Sequence, residues 1–257
     1  MDMKIRRKRN KIKRERVKEG KEKVPYTIYS EIPFWRKFFI FWYWLGVDMI
    51  RILKYGRSFN EYGMTVYAGR QGYGKTASMV EYLERMRKKY PKAIILTNFN
   101  YKYEHMKFED WHQFYDVRNG LDGVIFAIDE IQNEWESTKW KDFPETLLSE
   151  ITQQRKQRIK IISSTQVYTR MVKPLREQTF DVIECRTLAN RWTFMKSFDA
   201  LEYESVISQP ALKNSLKRNW RRSFIQTDKF RDLYDTSEKV EKMKRTDYLP
   251  RQERGAV

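Results

Sequence analysis

Short apolar segments alternate with segments of helical periodicity between residues 56 and 200 of this chain. Each apolar segment ends in a turn-forming or polar residue, which is typical of strands buried inside a sheet. Strands that alternate with helices along a chain favour parallel pairing. The pattern therefore predicts an α/β fold with a mainly parallel central sheet flanked by helices.

The same pattern predicts the individual elements. Strands are predicted at Met64–Ala68, Ala93–Thr97, Gly123–Ile128 and Ile159–Gln166, and the run from Gly123 is predicted to be buried. Helices are predicted at Ala77–Lys89, Phe108–Asn119 and Pro144–Gln157. A hairpin is predicted from Phe180–Arg186 and Arg191–Phe198, and Phe230–Tyr234 is expected to pack on the core.

The run from Gly69 to Thr76 has the phosphate-binding pattern of glycine, four residues, then Gly-Lys-Thr, between a predicted strand and a predicted helix. Backbone N–H groups and the helix N-terminus favour a negatively charged ligand there. Lys75 is predicted to reach the β- and γ-phosphates of ATP, and the Thr76 hydroxyl to bind Mg²⁺. The predicted nucleotide-binding residues are Gly69, Arg70, Gln71, Gly72, Tyr73, Gly74, Lys75, Thr76 and Ala77.

Two acidic residues, Asp129 and Glu130, follow the apolar run that starts at Gly123. Ligands of parallel sheets bind beyond the carboxyl ends of the strands. Asp129 is predicted to hold the Mg²⁺ shell, and Glu130 to orient and deprotonate an attacking water. Gln166 ends the next strand and is predicted to contact the γ-phosphate or that water, unless it only caps the strand.

Arginines near this strand are candidates for a group supplied to a neighbouring subunit. Arg155 is predicted to stabilise transition-state charge in that neighbour's site, with Arg158 and Arg170 as further candidates. A solvated basic helix end is the alternative.

The net charge of +18 indicates an acidic partner, either nucleic acid or an anionic membrane. Residues 1–25 hold 12 Lys/Arg against four acidic residues, and residues 210–257 hold 13 against seven. The segment Lys217–Arg222 interleaves Trp220 with basic residues, a composition that suits nucleic acid. A solubilising tail is the alternative for residues 1–25. The one cysteine, Cys185, excludes a disulfide framework and indicates a reducing compartment.

The segment from Phe34 to Lys54 has eight aromatic residues between Phe34 and Trp44. Its uncharged part, Phe38–Val47, is shorter than the ~20 residues that a membrane span needs. We therefore expect a helix that lies in the membrane interface. A short tilted span and an amphipathic helix packed on protein are the alternatives.

Four segments resemble, in their order along the chain, the motifs of the FtsK–HerA superfamily of DNA-pumping ATPases. They are Gly69–Thr76, Val124–Glu130, Gln153–Arg155 and Ile161–Gln166. Within it the similarity is strongest to Zot-like proteins, the assembly ATPases of filamentous phages. The resemblance covers about residues 60–200, and Leu233–Thr236 is similar to the closing part of such domains. In Zot-like proteins the membrane span follows the ATPase domain, whereas the aromatic segment here precedes it.

The resemblance implies a RecA-like P-loop NTPase that binds ATP and Mg²⁺ and forms a pentameric or hexameric ring. It also implies DNA, phage coat or capsid proteins and the membrane surface as partners, at the cytoplasmic side of the host inner membrane. The function implied is DNA packaging or virion extrusion. A conjugation-type DNA-transfer coupling ATPase, a helicase and a non-motor adaptor that links DNA, membrane and coat are the alternatives.

The predicted organisation has four parts. They are a basic N-terminal arm at 1–33, an aromatic helix at 34–55, an ATPase domain at 56–208 and a basic C-terminal extension at 209–257.

Overall fold

The computed structural model describes residues 32–56, 58–133, 151–207 and 216–235. These residues belong to two compact units that divide after Gly56. Residues 1–31 of the basic arm predicted at the N-terminus and the first half of the helix predicted at Pro144–Gln157 lie outside the described residues.

The described part of the first unit is a helix, α1 (Phe34–Tyr55). It begins after Pro33 and ends at Gly56, whose φ of +80° suits glycine and whose N–H donates to the Ile52 carbonyl at 2.9 Å. No residue of α1 is buried, and Phe34 is 83% exposed. Among the described residues, no helix combines the length and the apolar character that crossing a membrane requires.

The second unit is built on a large β-sheet. Its strands and those of a smaller sheet are β1 (Gly63–Ala68), β2 (Ile94–Thr97), β3 (Asn100–Tyr101), β4 (Met106–Lys107), β5 (Val124–Ile128), β6 (Ile159–Thr165), β7 (Thr179–Leu188), β8 (Trp192–Asp199), β9 (Arg218–Ile225) and β10 (Tyr234–Asp235). Within the described residues the large sheet has eight strands in the order β4-β2-β5-β6-β1-β7-β8-β9, and β10 pairs with β3.

The pairing confirms the predicted α/β class. From β4 to β7 every neighbouring pair of the large sheet is parallel. The β7–β8 hairpin and the β8–β9 pair are antiparallel. The described helices are short except for the first of this unit: α2 (Lys75–Lys89), α3 (Gln113–Asp116), α4 (Gln154–Gln157), α5 (Lys173–Glu177), α6 (Ala200–Ile207) and α7 (Asp228–Arg231).

Apolar clusters pack on both faces of the sheet, as expected for parallel strands. Along β5, Val124, Phe126 and Ile128 face one cluster, and Ile125 and Ala127 face the other. All five are fully buried. This double coverage fixes the carboxyl ends of the parallel strands as one rigid edge.

The helix predicted at Phe108–Asn119 is wrong for most of its length, since only Gln113–Asp116 is helical. The Gln113 side chain accepts a hydrogen bond from the Glu109 N–H at 2.8 Å and donates to the Lys107 carbonyl at 2.9 Å. The second bond occupies the Lys107 carbonyl, which would accept the first hydrogen bond of the predicted helix.

The fold continues past residue 208, the predicted end of the ATPase domain. β9 extends the large sheet by pairing with β8, although nearly all its side chains are exposed. Beyond it, Phe230, Leu233 and Tyr234 pack against a core cluster, which confirms the docking predicted for Phe230–Tyr234. Residues assigned from their charge to a basic extension therefore belong to the folded unit.

Candidate functional site

The phosphate-binding loop connects β1 to α2 and has a backbone that requires glycine. Gly72 and Gly74 have φ values of +79° and +77°, which other residues rarely adopt. A Cβ atom on Gly74 would also collide with the Thr187 hydroxyl and lie 3.1 Å from the Thr193 hydroxyl. Lys75 is buried, and its Nζ donates to the Arg70 carbonyl at 3.3 Å. Lys75 would have to release the Arg70 carbonyl to bind a phosphate.

Thr76 and Asp129 lie in contact, although they come from different elements. The Thr76 hydroxyl donates to Asp129 Oδ2 at 3.1 Å, and the Ser164 hydroxyl donates to Asp129 Oδ1. Asn98 holds the Asp129 backbone in both directions, at 2.6 Å to its N–H and 3.0 Å to its carbonyl. A hydroxyl oxygen beside a fixed carboxylate is a donor set that suits Mg²⁺.

The Glu130 side chain is oriented by two amide groups. Gln166 Nε2 donates to Glu130 Oε1 at 3.1 Å, and Asn133 Nδ2 donates to Oε2 at 2.9 Å. The Glu130 backbone has a φ of +49°, and its N–H donates to Ser164 Oγ at 2.9 Å. Such conformations are found preferentially at functional sites, where surrounding contacts hold them in place.

These groups open into one cavity of about 650 Å³, a volume that suits a nucleotide. Lys75, Thr76, Asp129 and Glu130 all line it. Ala77, Gln71, Gly72 and Gly74 of the predicted nucleotide-binding set line it as well. The cavity is also lined by five residues that were not predicted as site residues: Thr187, Asn190, Gln226, Arg231 and Tyr234.

The segment 226–235 is fixed over this cavity by main-chain and ionic contacts. Arg191 pairs with Asp228 at 2.6 Å, and the Lys102 N–H donates to the Leu233 carbonyl at 2.8 Å. Arg231 donates to the Asn190 carbonyl at the tip of the β7–β8 hairpin. The segment therefore brings a cation to a cavity that the phosphate-binding loop and the Asp-Glu pair already line.

Tyr234 adds a phenol to the same cavity. Burial raises its pKa, the negative charge of Asp129 raises it further, and the neighbouring Arg231 opposes both effects. Tyr234 therefore stays protonated at neutral pH. The run Leu233–Thr236 is part of the family resemblance, but no spacing rule indicates that Tyr234 or Arg231 reaches a loop more than 150 residues upstream.

The remaining predicted residues have other surroundings. Gly69, Arg70 and Tyr73 line a neighbouring cavity, together with Gln166. Arg155 is exposed and stacks on the Tyr62 ring at 5.6 Å, before the start of β6, at the opposite sheet edge from Gln166.

The two other candidate arginines also differ from one another. Arg158 donates to the Phe59 and Leu121 carbonyls at 3.0 and 3.1 Å, so its guanidinium holds the fold. Arg170 is exposed just after the end of β6, at the same edge as the cavity. Which arginine acts on a neighbouring subunit stays a prediction.

Together, the strand–loop–helix unit of Gly63–Lys89 and the strand that ends in Asp129 and Glu130 define a P-loop NTPase fold with a mostly parallel sheet. No protein-family model matches the sequence, and no curated protein matches it either.

Among solved structures, the chain is similar to the N-terminal domain of zonular occludens toxin from Neisseria meningitidis. The identity is 16%, the match covers 68% of this chain and 99% of that chain, and the TM-score is 0.49. It is also similar to the genome packaging NTPase B204 from Sulfolobus turreted icosahedral virus 2 bound to ATP-gammaS. There the identity is 13%, the coverage 55% and 93%, and the TM-score 0.42. At these values the function has to be argued from the site itself.

Proposed function

We propose that this protein is an Mg²⁺-dependent ATPase. The observation that carries the proposal is the convergence of Lys75, Thr76, Asp129 and Glu130 on one nucleotide-sized cavity. A binding protein would need the lysine and the threonine, but it has no use for a second carboxylate oriented by two amides. That arrangement favours hydrolysis over binding alone.

Each residue of the site has its own role in the proposed hydrolysis. The loop N–H groups and Lys75 bind the phosphates, and Thr76 with Asp129 would hold Mg²⁺, which neutralises phosphate charge when bound. Glu130 accepts the proton of the attacking water at a carboxylate oxygen. Gln166 and Asn133 keep that carboxylate in place, and Ser164 fixes both acidic residues.

Hydrolysis is tested first by point variants of the full chain. Lys75→Ala should abolish turnover, whereas Lys88→Ala, an exposed lysine of the same helix, should leave it unchanged. Glu130→Gln should bind ATP and lose at least about a hundredfold in rate, as expected for a missing general base. Turnover that survives in Glu130→Gln would contradict this mechanism, and ATP binding without turnover in the unaltered protein would favour the adaptor.

We further propose that ATP hydrolysis drives DNA movement in phage packaging or virion extrusion, by a ring of several copies. The net charge of +18 and the motif resemblance support DNA as the polymer. A conjugation-type coupling ATPase has the same site and differs only in partner. Arg170, which is exposed just after the carboxyl end of β6, is a candidate for the contact between copies.

The motor proposal predicts that DNA stimulates turnover. ATP hydrolysis should be measured with single-stranded DNA, with duplex DNA and without DNA, at two salt concentrations. Stimulation should fade at the higher salt, because phosphate contacts release counterions, and it should vanish in Lys75→Ala. Turnover that is indifferent to DNA would instead favour an assembly ATPase that acts on protein.

Helix α1 supports a membrane-surface location. Its aromatic side chains are exposed from Phe34 to Trp44, a composition typical of interfacial helices. Full-length protein should float with vesicles that contain phosphatidylglycerol, and Phe38→Ser with Trp42→Ser should abolish flotation. Phe180→Ser, which alters an exposed ring of the second unit, is the control. Flotation unaffected by the α1 changes would contradict this location.

A further inference from the structure

A second cavity adjoins the phosphate-binding loop and lies outside the cavity in which hydrolysis is proposed. Its volume is about 870 Å³, against about 650 Å³ for the nucleotide cavity. The lining comes from the loop, the end of β6, and strands β7 and β8. Three cations, Arg70, Arg186 and Lys196, line it, and all three side chains are exposed.

The strand register extends this cavity into a continuous surface. Residues paired across antiparallel strands lie on the same face of the sheet. Arg186 pairs with Phe194, Leu188 with Trp192, and Lys196 with Arg221 of β9. We call this surface the basic face; its residues are Arg186, Leu188, Trp192, Phe194, Lys196 and Arg221.

Two aromatic rings lie among the cations of the basic face. Trp192 is 46% exposed, and its ring centroid lies 4.8 Å from that of Phe194 at an interplanar angle of 32°. One acidic residue, Glu184, borders the cavity, and the Tyr203 hydroxyl donates to its carboxylate at 3.1 Å. The surface thus combines a positive field with one exposed ring, that of Trp192, and one half-buried ring, that of Phe194.

This chemistry selects one class of polymer. A single nucleic-acid strand exposes both phosphates and base faces, and it binds to grooves that pair cations with aromatic side chains. A duplex stacks its bases on one another and would offer Trp192 and Phe194 no base to stack on. Acidic peptides would satisfy the cations but not the rings.

We propose that the basic face binds a single strand of DNA, with phosphates on Arg186, Lys196 and Arg221 and bases stacked on Trp192 and Phe194. The proposal rests on the proposed function, because this strand would be part of the polymer that the ATPase moves. It assigns the contact to the folded sheet rather than to the basic tails.

One residue links this surface to the nucleotide cavity. Gln166 lines the second cavity, and its amide donates to Glu130, which lines the first. A DNA strand bound at the second cavity therefore lies beside Gln166, whose amide orients the carboxylate of Glu130. DNA bound there can change the hydrolysis rate through Gln166.

The test is fluorescence anisotropy of a dye-labelled oligothymidine with the full chain and no nucleotide. Trp192→Ala should weaken binding roughly fivefold or more, the expected loss for one base stack. Arg221→Glu should weaken it too and lower the salt slope by about 0.7, the value for one phosphate contact of a single strand. Arg222→Glu is the matched control, since Arg222 is exposed on the same strand but pairs with Met195 on the other face.

Three outcomes would overturn the proposal. Equal losses in Arg221→Glu and Arg222→Glu would mean that net charge alone binds the DNA. If the variants lost binding to duplex DNA and kept binding to oligothymidine, the polymer on the basic face would be duplex DNA and not a single strand. A change in sedimentation without a change in DNA binding would make the basic face a contact between copies of the chain. Because binding is measured without ATP, and hydrolysis by the same variants without DNA, failure of this proposal is separable from failure of the ATPase.

Discussion

The hydroxyl of Thr76 donates a 3.1 Å hydrogen bond to Asp129, which joins the first turn of α2 to the residue after β5. Ser164 of β6 binds the carboxylate of the same aspartate, and Asn98, the residue after β2, binds its backbone. The carboxylate is therefore positioned by three elements before any ligand arrives. Such a preformed donor set lowers the ordering cost of binding a divalent cation.

Thr76→Val should raise the Mg²⁺ concentration needed for half-maximal hydrolysis by more than about tenfold, since a metal-ligating oxygen is lost at constant size. Thr76→Ser keeps the oxygen and should stay close to the unaltered protein. The measurement is an Mg²⁺ titration of the ATPase rate, with thermal unfolding to confirm that both variants fold. Equal Mg²⁺ requirements in the two variants would remove Thr76 from the metal site.

Gln166→Leu should lower kcat by roughly tenfold to a hundredfold without changing ATP binding, because Glu130 loses one of its two orienting amides. Gln166→Glu should lower kcat at least as much, because its carboxylate repels that of Glu130 and has no N–H to donate. Single-turnover hydrolysis and equilibrium ATP binding of both variants measure the two effects separately. An unchanged kcat in Gln166→Leu would show that Glu130 does not need this amide.

Arg231→Ala should weaken ATP binding by about tenfold, the contribution of one charge-assisted contact to phosphate. Lys229→Ala serves as the control, because Lys229 is exposed on the same short helix and does not line the cavity. Equilibrium binding of a fluorescent ATP analogue distinguishes them. If both variants bind equally well, Arg231 closes the cavity without contacting the nucleotide.

The buried Lys160 should make the stability of the fold depend on pH in the alkaline range. Burial lowers its pKa to about 8, although Asp181 and Glu61 oppose this, and its Nζ donates to Thr65 at 2.8 Å. Between the folded pKa near 8 and the unfolded value of 10.5, the unfolded chain binds more protons. The free energy of unfolding should therefore rise with pH above 8, with a limiting slope of about 1.4 kcal/mol per pH unit from this group.

Denaturant unfolding between pH 7.5 and 9.5, below the tyrosine titrations, measures this rise. Lys160→Met should remove it while keeping the side chain's length and apolar character. In the difference between the unfolding free energies of the unaltered protein and Lys160→Met, the contributions of groups that titrate equally in both proteins cancel. A constant difference across the pH range would show that Lys160 is ionised in the fold up to pH 9.5.

The phosphate-binding loop and the catalytic carboxylates could be located from the sequence alone. Their positions are local: Gly69–Thr76 is a fixed spacing, and Asp129 and Glu130 follow a run whose apolar residues can only be a buried strand. Parallel pairing then brings the ends of β1, β5 and β6 to one edge. Local spacing and hydrophobic pattern therefore determined the class of fold and most of the candidate site.

The tertiary structure alone decided which distant residues join that site. β9 has no alternation of buried and exposed positions, because its side chains are exposed on nearly all positions of both faces and main-chain bonds to β8 hold it, so its sequence resembles that of a basic tail. Arg231 and Tyr234 enter the cavity because the chain returns across the sheet and β10 pairs with β3. Such contacts depend on the path of the chain through space, which no periodicity within a short segment encodes.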